Sequence, residues 1–171
     1  MIFEKYILPG IMLDTFRDVT PEFLAERGIK YLISDIDNTL VTYDDPAPTP
    51  EVSEWFDRMA AAGVRVAFVS NNGKERVDLF NRDLGFVSYA KAGKPKTKYI
   101  TAAMRDMGAT ADNTALLGDQ LLTDAAAGAR AGLLSIIVPP IKDKRSLLFR
   151  FKRWLEKPYL KKYNKLHKSD R

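Results

Sequence analysis

The stretch Tyr31-Leu32-Ile33-Ser34-Asp35-Ile36-Asp37-Asn38-Thr39-Leu40 constrains this chain more than any other. Residues Ile29 to Ile33 form a short, largely apolar run bounded by Gly28 and two aspartates, which predicts a buried strand. Buried parallel strands take such runs, and active-site carboxylates gather where those strands end. Asp35 and Asp37 lie two positions apart, so along extended backbone they point the same way. Like charges that close repel unless a cation or a proton neutralises one of them. The bland alternative is an Asx-rich turn after a strand, which Asp-x-Asp-Asn-Thr also suits.

The rest of the chain repeats the pattern. Thr20-Pro21-Glu22 predicts a helix start, with Thr as N-cap and Pro in the first turn, and Gly28 ends that helix. Thr49-Pro50-Glu51 repeats the chemistry; Val52, Trp55, Phe56 and Met59 recur at helical spacing as core, and Gly63 stops the helix. Strands are predicted over Val64–Val69, Phe86–Ala90, Thr114–Leu117 and Leu133–Val138. Helices are predicted over Lys74–Arg82, from a Thr97 cap to Met107, and over Thr123–Ala131. Strand alternating with helix predicts an α/β fold, a central parallel sheet between two helical layers. Met1 to Asp18 is apolar and aromatic but carries no assignable pattern.

Polar groups then fall where ligands bind such a sheet, beyond the carboxyl ends of the strands. Asp35 and Asp37 follow one strand, Ser70-Asn71-Asn72 another, and Lys94 and Asp119 the next two. A cluster of Asp35, Asp37, Asp119 and Asp124 would repel itself without a cation, and its all-oxygen donors suit a hard ion such as Mg2+. A metal that offsets charge lets a carboxylate attack phosphorus, and a second carboxylate can protonate the leaving oxygen. Ser70 and Lys94 would hold phosphoryl oxygens. Asp124 as a plain helix cap, and Asn38 and Asn71 as loop-shaping residues, are the structural alternatives.

These residues carry a family resemblance. Asp35-Ile36-Asp37-Asn38-Thr39 resembles the DxDxT signature of the haloacid dehalogenase-like (HAD) phosphohydrolases. Ser70, Lys94-Pro95 and Gly118-Asp119-Gln120-Leu121-Leu122-Thr123-Asp124 resemble their remaining motifs in order. The resemblance implies a HAD-like, Rossmann-like fold. It implies Asp35 as a nucleophile forming an aspartyl-phosphate, Asp37 as acid/base, and Thr39, Ser70, Asn71 and Lys94 as phosphate-binding. It places Mg2+ on Asp35, Asp37 (through its backbone carbonyl), Asp119 and Asp124. The full set is similar to the YqeG group of subfamily IIIA, itself similar to the phosphatidylglycerophosphatases. Gly93 departs from the expected larger residue before Lys94, which leaves Lys91 and Lys96 as rivals for the phosphate. About 10 residues separate Leu40 from the next helix, so no cap domain fits there; the site is either open to a bulky substrate or covered by a second subunit.

Composition divides the 171 residues in two. Residues 142–171 hold 12 Lys and Arg against 3 Asp and Glu, while the other 141 hold 15 basic against 19 acidic. No run approaches the ~20 apolar residues of a membrane span. The absence of cysteine excludes disulfides and thiolate zinc, and fits a reducing, cytoplasmic setting. In the tail, Leu147, Leu148, Phe151, Trp154 and Leu155 follow helical spacing among basic residues, with a helix break expected at Pro158. Tyr159, Leu160, Tyr163 and Leu166 resume the spacing beyond it. A basic helix with Trp, Phe and Leu along one stripe predicts an anionic membrane surface as partner. The competing expectations are packing on the domain's own sheet and, least favoured, nucleic acid. His167 is expected to be solvated. The expected organisation is a HAD-like phosphatase domain over 1–141, with 1–19 of unassigned role, and a basic amphipathic tail over 142–171. The function expected is a Mg2+-dependent phosphomonoesterase with a phosphorylated substrate, such as the phosphatidylglycerophosphate headgroup. The alternatives are a soluble sugar- or nucleotide-phosphate phosphatase, oligomeric for its lid, and an RNA- or ribonucleoprotein-binding module.

Overall fold

The computed structural model describes the backbone of residues 4–142 and 147–167 and the side chains of 6–142 and 150–167. The elements run α1 (Glu4–Ile7), β1 (Ile11–Met12), α2 (Pro21–Ala25), β2 (Tyr31–Ser34), α3 (Pro50–Ala61), β3 (Arg65–Val69), α4 (Lys74–Asn81), β4 (Val87–Tyr89), α5 (Lys98–Met107), β5 (Thr114–Gly118), α6 (Ala126–Ala131), β6 (Leu134–Ile137) and α7 (Leu147–Leu166). Six strands make one parallel sheet in the order β1-β6-β5-β2-β3-β4. The apolar run therefore lies at the centre, paired on one side to β3 and on the other to β5. Chain order changes direction at β2, which opens a crevice beyond its carboxyl end.

Period-two alternation along the strands divides the core into two layers. Leu32, Val66, Phe68, Ala115 and Leu117 face α3 and α4, where Trp55, Phe56, Met59, Val77 and Phe80 are buried. Phe68 anchors that layer, with Phe56, Phe80 and Phe86 ring centroids 5.4–5.8 Å away. Ile33, Ala67, Val69 and Leu116 face the other way, against Ile100, Ala103 and Met107 of α5 and Ala127 of α6. Met104 packs against that second layer.

Local chemistry starts and stops these helices much as their sequence predicts. Thr20 and Thr49 each accept a hydrogen bond from a backbone N–H of the first turn, ahead of Pro21 and Pro50. Thr97 holds the cap position of α5 but makes no capping hydrogen bond, because its own backbone is already helical. The unassigned N-terminal segment supplies the edge strand β1, parallel to β6.

Two predicted boundaries are corrected. The segment predicted as one helix from Thr123 opens instead as a π turn, Leu121–Ala125, before α6. The predicted break at Pro158 does not occur, since α7 continues through it. Pro158 and Trp154, whose carbonyl loses its donor, both lie on the exposed side, where water can take that bond. Glu156 and Tyr163, both buried, pin the helix on either side of the proline. Leu147 and Leu148 lie outside the residues with described side chains.

Candidate active site

The site is built at the carboxyl ends of β2, β3 and β5. Beyond β2, the Asp35 N–H donates to the Leu117 carbonyl at 2.9 Å, which prolongs the β2–β5 ladder and pins the aspartate at its end. The chain then turns at Asn38, whose φ of 65° is left-handed, a conformation asparagine tolerates better than most residues. Asn38 also receives the chain that leaves the sheet: its carbonyl accepts from the Ile141 N–H at 3.1 Å, and its Oδ1 from the Lys142 N–H at 3.2 Å. It shapes the loop.

Asp35, Asp119 and Asp124 converge, with one carboxylate oxygen from each within 4.8 Å of the others. All three are buried. Asp119 leaves β5 directly, and Asp124 returns over the π turn to accept the Asp119 and Gln120 N–H groups at 3.2 and 3.1 Å. It thus braces the loop before the turn and caps no helix. The Nζ of Lys94 enters from the β4–α5 loop, 2.7 Å from Asp124 and 3.3 Å from Asp35. Lys91 and Lys96 are exposed, whereas Lys94 is 5 % exposed. Gly93 is explained by its φ of 67°, which a larger side chain would resist.

Asp37 stands apart from the trio. Arg76 of α4 donates to its Oδ1 through two nitrogens at 2.8 and 3.0 Å, and Asn72 donates to its Oδ2. Its carboxylate is thereby aimed toward α4. Ser70 is buried at the end of β3, and its hydroxyl accepts from the Asn72 N–H at 3.2 Å. Asn71 grips the backbone of Lys94 from both sides, accepting from its N–H at 2.7 Å and donating to its carbonyl at 3.2 Å. Its amide is committed to positioning that lysine. Thr39 is buried, and among the described residues its hydroxyl has no hydrogen-bond partner.

Burial and mutual repulsion shape the electrostatics. Burial pushes the Asp35 carboxyl up, opposed chiefly by Lys94. Burial, then Asp124 and Asp35, push Asp119 well above the ordinary carboxylate range. Burial works against the Lys94 ammonium, but Asp124 and Asp35 outweigh it and push the group up to about 12. Tyr43, at the rim, is raised by burial and by the same aspartates. Both carboxylate oxygens of Asp119 are buried and accept no hydrogen bond among the described residues. Buried acceptors left in that state are costly, and hard oxygen donors in such a group fit a divalent cation such as Mg2+.

Several site neighbours carry no signal in the motifs. Arg76 lies in the first turn of α4, and nothing in its spacing marks it. Arg153 and Glu156 come from α7. The Arg153 Nη2 lies 3.8 Å from Asp119, its Nη1 donates to Glu156 at 3.0 Å, and Glu156 accepts from the Leu122 N–H at 3.2 Å. A usable signal existed for this pair: Glu156 is the one acid in α7, three residues after an arginine.

The same residues place the chain among known proteins. Residues 4–132 match the model of a hydrolase family described as haloacid dehalogenase-like hydrolase. A Bacillus subtilis protein named "Probable phosphatase YqeG" is 40% identical over 157 residues, 92% of this chain and 91% of that protein. The Arabidopsis thaliana "Phosphatidylglycerophosphate phosphatase 1, chloroplastic/mitochondrial" is 23% identical over 173 residues; the match takes in 90% of this chain but 50% of that protein. Among solved structures, 3-deoxy-D-manno-octulosonate 8-phosphate phosphatase from Moraxella catarrhalis shares the fold. Its TM-score is 0.50 at 14% identity, over 88% of this chain and 98% of that one. That structure holds a magnesium ion, a phosphate ion and a KDO molecule.

Proposed function

The chain belongs to the haloacid dehalogenase-like hydrolases, and from that premise we propose that it is a divalent-cation-dependent phosphomonoesterase working through Asp35, with a phospholipid headgroup phosphate as substrate. The observation that carries the reading is the convergence of Asp35, Asp119 and Asp124 around the buried Lys94 ammonium. Asp35, Asp119, Asp124 and the Asp37 backbone carbonyl would hold Mg2+, which would offset the charge between an anionic nucleophile and an anionic phosphate.

In this reading Lys94 holds the transferring phosphoryl oxygens, with the Ser70 and Thr39 hydroxyls, while Asn71 fixes the lysine backbone. The Asp35 carboxylate attacks phosphorus and forms an aspartyl-phosphate as the ester oxygen leaves. Asp37 gives a proton to that oxygen and then takes one from the water that cleaves the acyl phosphate. Arg76 and Asn72 hold the Asp37 side chain in place, as the acid that protonates the leaving oxygen and then as the carboxylate that takes a proton from water. The unit 1–141 carries this chemistry, and the exposed face of α7 docks it.

A lipid substrate is supported by three features. Helix α3 begins at Pro50 and α4 at Lys74, so neither loop after β2 nor after β3 has room for a cap domain. On α7, Phe151 and Trp154 are 55% and 62% exposed, with ring centroids 6.0 Å apart. Arg150, Lys157 and Lys161 are exposed on the same helix, as suits an anionic interface. Among the described residues no helix is long and apolar enough to cross a membrane. The similarity to a phosphatidylglycerophosphate phosphatase favours that headgroup.

The test is turnover by purified full-length protein on phosphatidylglycerophosphate in mixed micelles, beside sugar and nucleotide phosphates, with and without Mg2+. Release of phosphate from the lipid, its loss with EDTA, and its loss in Asp35→Asn are expected. Preference for a soluble sugar phosphate would overturn the lipid reading, and full activity of Asp35→Asn would overturn the nucleophile.

A further inference from the structure

The basic tail is tied into the acidic centre. Glu156 is fully buried at 0% exposure, the reverse of what a glutamate on a solvated basic helix would show. One of its oxygens accepts from the Leu122 N–H, inside the π turn that carries Asp124. The other holds Arg153, whose second terminal nitrogen lies 3.8 Å from Asp119. The Tyr163 hydroxyl accepts from the Met12 N–H at 3.0 Å, and Tyr159 and Leu160 pack on Leu121 and Ala125. Polar and apolar contacts thus seat one face of α7 on the turn that shapes the acidic trio.

We propose that Arg153 is a positioning residue of the cation site, acting through Asp119 to hold down its affinity for a divalent cation, and that Glu156 offsets part of that charge. The inference rests on the reading of Asp35, Asp119 and Asp124 as a Mg2+ site. A guanidinium this near a cation-binding carboxylate competes electrostatically with the cation, because both satisfy the same negative charge. Glu156 draws the guanidinium's charge toward itself and so weakens that competition. The coupling is reciprocal, so a bound cation loosens the hold of Arg153 on Asp119, and through it the seat of α7. Cation loading and the placement of the tail become one equilibrium.

Because the two side chains carry opposite charge, their neutral variants move the affinity in opposite directions. The experiment is calorimetric titration of Mg2+ alone into full-length wild type, Arg153→Gln, Arg153→Lys, Glu156→Gln and the Arg153→Gln/Glu156→Gln double variant. Arg153→Gln should bind Mg2+ more tightly and Glu156→Gln more weakly, each by a factor on the order of three to ten. Arg153→Lys and the double variant should stay close to wild type. Glu156→Gln keeps an acceptor for the Leu122 N–H, so it preserves the seat while removing the charge. A merely structural role would weaken binding in every variant. If wild type binds Mg2+ while the two single variants shift the same way or not at all, this inference alone falls. If wild type binds no Mg2+, the cation-site reading falls and takes this one with it.

Discussion

Asp124 folds back over Gly118 so closely that a methyl group on Gly118 would overlap the Asp124 carboxyl carbon, its Cβ and its Oδ2. Gly118 needs no unusual backbone angle; what it supplies is room. That room lets Asp124 accept the Asp119 and Gln120 N–H groups while its other oxygen meets Lys94.

Gly118→Ala should therefore be destabilising by about 1–3 kcal/mol or more, the range for an added methyl in a packed interior. It should also weaken Mg2+ binding, since Asp124 has to move. Urea denaturation and calorimetric Mg2+ titration of the same sample check both; an alanine variant with unchanged stability would refute the steric argument.

Lys94→Met removes the one buried ammonium between Asp35 and Asp124 while keeping most of its volume. Stripping one partner from a buried ion pair costs about 3–5 kcal/mol, because the remaining charges go uncompensated. The loss should be largest in EDTA and smaller in Mg2+, whose charge can stand in for the ammonium. Denaturation midpoints with and without Mg2+ would show it, and turnover should be absent even with Mg2+ present.

Arg76→Ala releases Asp37 from its two guanidinium hydrogen bonds and leaves Asn72 as its side-chain partner. Turnover of an aryl phosphate should fall by about ten- to a hundredfold, within the range that general acid–base groups contribute. Arg76→Lys should recover part of it. Comparing kcat with KM separates this from lost substrate binding, since a misplaced Asp37 lowers kcat.

Phe151→Ser/Trp154→Ser tests the tail without dismantling it. Both side chains are exposed, so stability should move by no more than about 0.5 kcal/mol. Co-sedimentation with vesicles rich in anionic phospholipid should drop, and wild-type binding should weaken as salt rises. Equal pelleting of the two proteins would remove α7 from membrane docking. Deleting the helix would be a poorer test, because Glu156 and Tyr163 are buried and their loss would disturb the turn around Asp124.

The reach of the sequence differs from residue to residue. Leu32 beside Ile33, Val66 beside Ala67, and Leu116 beside Leu117 already carry the unbroken apolar runs of a sheet covered on both faces. Thr49-Pro50 and Gly132 mark helix ends through local hydrogen bonding and left-handed backbone, which neighbours in the chain decide. Asp35, Lys94 and Asp119 were each legible at a strand's end or in the loop beyond it, and Asp124 through the motif that begins at Gly118. Their grouping followed from the rule that parallel strands gather those ends at one edge. Asn71 was legible only as part of a motif; its commitment to the Lys94 backbone depends on how two loops meet.

By itself, then, the sequence determined every strand but β1 and the chemical types available at the sheet edge, because these follow from apolar patterning and from interactions within a few residues. Tertiary structure alone decided that the Asp37 carboxylate turns to Arg76, that Pro158 leaves α7 continuous, and that Arg153 and Glu156 of a seemingly solvated tail reach Asp119 and the turn at Leu122. Each of those depends on contacts between distant segments, where burial sets which charges must be paired, and no local pattern encodes that pairing.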